Sequence, residues 1–155
     1  MGLKYCSWLL GLSAFCASFQ SYACSYDGQP NNPFTESYPG SLDIAFATSA
    51  AVDNKQIEIV DELEGKQGLR RVSWWLKLML DRHGNELQSV SYIYLIDSHL
   101  WSQVIEGASV NVHSSPAQGE RSSVLMLSEA ALYALVHGKI DFAQALELGI
   151  IQYSI

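Results

Sequence analysis

The stretch SVLMLSEAALYALVHGKIDFAQALELGIIQYSI, residues 123–155, decides the fold. Val124, Leu125, Met126 and Leu127 form a short unbroken apolar run, the pattern of a strand covered on both faces. Ser128 stands where a helix N-cap belongs, and Glu129 follows in the first turn, where a negative charge complements the helix dipole. Leu132, Leu135 and Val136 recur at helical spacing, and Gly138 ends that helix because glycine enters the left-handed conformation without a steric cost. Asp141 and Gln144 have the spacing of a capping box, with Ile140 placed to staple onto Ala145. Gly149 closes the second helix, and residues 150–155 return as a strand. The unit is a compact corner of strand, helix, helix and strand, and it contains no chemistry.

Upstream, the spacing predicts three more helices and two more strands. A helix over 42–52, capped by Ser41, places Leu42, Ala45, Phe46 and Ser49 on one face. Residues 56–63 fit a helical face through Ile57, Val60 and Leu63, and also a strand; the acids Asp61 and Glu62 favour helix. The longest helix covers 69–83, with Leu69, Val72, Leu76, Met79, Leu80 and His83 on its apolar face. From Val90 the period becomes two, a strand with Tyr92, Tyr94 and Ile96 opposite Ile93 and Leu95. Residues 98–104 read as a turn carrying Trp101, and 109–113 as a further strand. The expected fold is one small α/β (α+β) domain over 41–155, with a mixed sheet of about 4–5 short strands packed against helices.

The N-terminal residues read as a targeting segment. Lys4 supplies a positive start, residues 5–19 an apolar core, and Ser21-Tyr22-Ala23 small residues at the −3 and −1 positions before a cut. That divides the chain into a signal peptide (1–23), a tether or N-terminal arm rich in Pro, Gly, Asn and Ser (24–40), and the domain. An uncleaved anchor is the competing reading, but the apolar run is short for the ~20 residues of a membrane span. Cys6 and Cys16 leave with the segment, so Cys24 remains as a lone cysteine and an internal disulfide is excluded from the mature chain. Ser21-Tyr22-Ala23-Cys24 resembles the acceptor site of bacterial lipoproteins, although Ser21 and Tyr22 depart from the usual residues. The resemblance implies a lipid on Cys24 and a location in the periplasm or on the outer membrane; a free or intermolecular thiol is the alternative. Tyr26, Phe34 and Tyr38 are more aromatics than a free linker needs, which points to partial packing on the domain.

The net charge is −7, and loss of Lys4 makes the remainder one unit more acidic. Nucleic acid is an unsuitable partner for such a chain, since phosphate neutralisation needs a basic patch. The local cluster Arg70, Arg71, Lys77 and Arg82 reads most simply as a solvated helix face. His83, His99, His113 and His137 are dispersed, so metal-ligand spacing is missing, and a site from His99, His113 and Asp97 would need the fold to gather them. Asp97-Ser98-His99 holds the residue types of a catalytic triad, but sequence neighbours rarely converge on one point. With no nucleophile elbow, phosphate loop or cofactor motif, the sequence points to a non-catalytic domain with no cofactor.

From Tyr92 onward the order of elements resembles the sterol carrier protein-2-like family, in which a strand ending in Leu-Ser leads to a short helix, a Gly-Lys/Leu-Asp turn, a second short helix and a last strand. Here these are VLMLS, EAALYALVHG, Gly138-Lys139-Ile140-Asp141, Ala145 and Gly149-Ile150-Ile151. The resemblance implies a module that binds lipids or other apolar molecules between sheet and helices. Trp74, Trp75, Leu78 and Met79 on the long helix, with Tyr92 and Tyr94 on the sheet, are the candidate pocket residues. The same residues also suit an ordinary core, and an envelope interaction protein without a small-molecule ligand is the alternative function.

Overall fold

The computed structural model describes residues 25–27, 38–106 and 109–154. The proposed signal peptide, Cys24 and Phe34 lie outside the described residues. The elements run α1 (Ser41–Asp53), α2 (Gly65–His83), β1 (Tyr92–Leu95), β2 (Leu100–Ile105), β3 (Ser109–Val112), β4 (Val124–Leu127), α3 (Glu129–Val136), α4 (Phe142–Glu147) and β5 (Ile151–Ser154), after a single 3-10 turn at Ser25–Asp27. The result is one α+β domain with a five-stranded mixed sheet in the order β3-β2-β1-β4-β5. All pairings are antiparallel except β1 with β4, whose registers run Tyr92 to Val124 through Leu95 to Leu127.

Strand alternation sends the side chains of β1 and β4 into two separate clusters. Ile93, Leu95, Leu125 and Leu127 join Val72, Trp75, Leu76 and Met79 of α2 and Leu132 and Leu135 of α3. Tyr92, Tyr94, Ile96, Val124 and Met126 pack under Ile44 and Ala45 of α1, with Tyr38 and Trp101 at the rim. All four residues of β1 and of β4 are buried, as their continuous apolar runs require. Full burial of each such side chain stabilises the fold by ~1.5–3 kcal/mol.

The C-terminal corner forms as its residues dictate. Ser128 Oγ accepts from Ala131 N at 3.1 Å, and the Asp141–Gln144 capping box is complete, with both reciprocal bonds at 2.7 and 2.9 Å. Three upstream expectations differ. Residues 57–64 are irregular, not helical: α1 ends with Gln56 N donating to Ala51 O at 2.8 Å, Ile57 then drops into the core, and Glu58 reaches Lys139 at 3.2 Å. Tertiary anchoring at the start of the segment overrides helix propensity there. Residues 100–105 form a strand where a turn was expected, because Ser102 is fully buried and disguises the alternation of Leu100, Ser102 and Val104. Ser41 lies inside α1, and Gly40, at φ 90°, takes the N-cap position without a side-chain cap.

The long helix also starts a turn earlier than its apolar pattern, and Gly68 shows why. A Cβ there would stand 1.9 Å from Leu63 O and 2.4 Å from Tyr26 Cε1. The helix thus receives the 3-10 turn, not only the sheet. Gly68→Ala is expected to cost ~1–3 kcal/mol through overpacking and to release the Tyr26 segment. Limited proteolysis should then cut near residue 27 at denaturant concentrations where the native protein resists.

Candidate functional site

The six candidate pocket residues do not line one cavity. Trp75 and Met79 are buried between α2 and the sheet, with Leu78 packed at the edge of that cluster. Tyr92 and Tyr94 belong to the cluster on the opposite face, and Trp74 is 57% exposed on the outside of α2. Tyr94 stacks with Trp101 at 4.6 Å and bonds His99 Nδ1 through its hydroxyl at 2.9 Å. Amphipathic periodicity told core from surface but could not tell which face of the sheet each aromatic meets.

The fold instead assembles a polar cluster at the carboxyl ends of β1 and β4, the switch point of a parallel pair. Asp97, just past β1, accepts from the amide of Glu129 through Oδ2 and so caps α3 alongside Ser128. The Tyr26 hydroxyl donates to Glu129 Oε1, and Ser25 N donates to Ser98 O at 2.9 Å, which clips the N-terminal turn over the site. Arg71 Nη2 stands 3.6 Å from Glu129 Oε2, and its guanidinium lies 4.8 Å from the Trp75 ring centre. Trp75 in turn meets Tyr133 edge-on at 5.5 Å.

Electrostatics explain how these groups are held. Burial pushes the Asp97 carboxyl from 3.8 up to about 6, against the pull of the Glu129 amide. Burial also drives the Tyr26 hydroxyl well above its ordinary value, and the Glu129 carboxylate adds to the effect, so Tyr26 remains a donor. His99 is lowered by burial. Asp97, Ser98 and His99 do not converge, since Asp97 turns to α3 and His99 to Tyr94. Among the described residues, no three His, Cys, Asp or Glu side chains gather in a metal-binding group.

A second feature is an open cleft of about 390 Å³ at the α3–α4 turn. Half-buried Ile140 gives it an apolar side, with Leu135 buried beneath, and Arg82, His83 and Lys139 line it with polar groups, with Asp141 and Gln144 beside them. The His83 ring rests on Phe142 at 5.6 Å. Asp141 keeps its charge in the capping bond and Lys139 is paired with Glu58, so the lining carries both signs of charge. Neither site was legible beforehand: Tyr26 and Glu129 lie 103 residues apart, and the cleft joins the end of α2 to a turn far along the chain. The visible traces were the surplus aromatic at Tyr26 and the isolated Asp97.

Among the described residues no helix is long and apolar enough to cross a membrane. Asp97 generates a test of the polar cluster. A carboxyl that holds its proton more tightly when folded contributes stability below pH ~4, and that contribution is lost as pH rises through about 6. Asp97→Asn keeps an oxygen for the Glu129 amide and does not titrate. Its stability relative to the native sequence should therefore rise by roughly 2.4 kcal/mol between pH ~4 and ~7, read from urea melts at both. A difference independent of pH would exclude this account of Asp97. No family model, curated protein or solved structure matches the chain.

Proposed function

We propose that this chain is an exported, non-catalytic domain of the bacterial cell envelope, held there through a lipid on Cys24, and that it binds a lipid-like ligand. The observation that carries the reading is the cleft at the α3–α4 turn, where Ile140, with Leu135 buried beneath, adjoins Arg82, His83 and Lys139. Its volume lies within the ~300–1,000 Å³ of small-molecule sites, and its apolar and polar sides suit the two ends of an amphiphile. The same segment, β4–α3–Gly138 turn–α4–β5, is the one whose sequence resembles the sterol carrier protein-2-like family. The lipoprotein-like Ser21-Tyr22-Ala23-Cys24 supports the envelope location.

A second reading, an envelope interaction protein without a small-molecule ligand, is favoured by the side chains that fill both faces of the sheet. Native mass spectrometry separates the two. Protein expressed from the full gene with Cys24→Ser and purified gently should carry a co-purifying mass that leaves on denaturation and extracts into organic solvent. Arg82→Glu, at an exposed position, should lower that occupancy about tenfold with the melting temperature maintained. A clean apo mass after exposure to lipid mixtures would favour the interaction protein. The intact mass of the native chain reports separately whether Cys24 is acylated.

A further inference from the structure

We propose that the outer face of α2 is a docking surface for anionic phospholipid membranes. Five of the nine Lys and Arg side chains of the sequence lie on this one helix, with Asp81 as its single acid. At 100° per residue, Lys66, Lys77, Arg70 and Trp74 fall within about 80° of arc, and Lys66 and Lys77 are about 16 Å apart along the axis. All four are exposed, and Trp74 holds more than half of its surface in water. The opposite face of the helix, Val72, Trp75, Leu76, Met79 and Leu80, is spent on the core.

A solvated helix face accounts for the cations but not for an indole standing among them. Tryptophan and basic side chains in one stripe are the composition of a helix that lies on a bilayer, the indole at headgroup level and the cations among phosphates. Charge complementarity selects the occupant. Asp81 is the only acid within the stripe; of the carboxylates that precede α2, Glu58 is paired with Lys139, while Asp61, Glu62 and the N-cap Glu64 are exposed and bound the stripe at the start of the helix. The chain as a whole carries −7, so an anionic surface repels most of the molecule and attracts this stripe. That imbalance orients the domain with α2 against the membrane. The inference rests on the envelope reading, which is what brings a bilayer within reach, but its test is independent of acylation.

The test is co-sedimentation of the protein made from the full gene with Cys24→Ser, with phosphatidylcholine vesicles that contain or lack phosphatidylglycerol. Binding is expected only with the anionic lipid and is expected to weaken with salt. Lys66→Glu/Lys77→Glu should lower the affinity by at least about 25-fold, at about fivefold per basic residue, with an unchanged thermal melt. Trp74→Ser should weaken it further and leave the salt dependence in place. No binding to either vesicle, equal binding to both, or a charge-reversed variant that binds like the parent would overturn the proposal. The mass of Cys24 in the native chain decides the anchor separately, so the two can fail independently.

Discussion

The arrangement depends on one constraint, the parallel pairing of β1 and β4. Parallel neighbours cannot be joined by a tight turn, so the chain must travel away and return before the pair can close. Here it does so through β2 and β3, which extend the sheet on one side and leave β4 to start α3 directly beside the exit of β1. The free amides at the start of α3 therefore face the loop that follows β1. Asp97 meets them there, and the resulting bond extends the contact that Ile96 N already makes with Leu127 O at 3.0 Å. Glu129, fixed by that bond, becomes the partner of Arg71 and Tyr26. Helix α2 and the N-terminal turn are thereby tied to the sheet by polar contacts as well as by packing.

The two faces of the sheet have different characters. Toward α2 and α3 the core is mainly aliphatic. Toward α1 it is aromatic, with Tyr38, Tyr94 and Trp101 in mutual ring contact at 4.6–5.6 Å. Neither face leaves the aromatic residues free to surround a large guest. Binding capacity is displaced to the periphery, to the turn between α3 and α4 and to the outside of α2. In both places cations stand next to apolar groups, although the molecule as a whole is acidic.

How far the sequence discloses this depends on the range of the interactions. Local signals were fully legible: the Ser128 cap, the Asp141–Gln144 box and the double-sided burial of 124–127 each follow from residues within a few positions of one another. The fold class followed from the change of period at Val90. Legibility stopped where a distant contact overrode local preference. Residues 57–64 look helical until Ile57 and Glu58 are seen held by the core and by Lys139, and β2 hides because Ser102 is buried. The aromatic pocket residues were named from composition and period, and neither carries the sidedness that separates Tyr92 and Tyr94 from Trp75 and Met79. Asp97 and Glu129 are ordinary acids in the sequence. Only the fold brings them together.

Tyr26 gives the chain a direction in time. Its hydroxyl partner, Glu129, lies 103 residues downstream, so the first described segment to leave the ribosome is among the last to complete its contacts. Closing so long a loop adds little entropy beyond that of a shorter one, but it cannot begin before β4 and α3 have been made. Until then the Tyr26 hydroxyl lacks this partner, although Gly68 and Ser98, which also receive the turn, are already in the chain. Its bond to Glu129 then acts as a late latch, reporting that the C-terminal half has already folded.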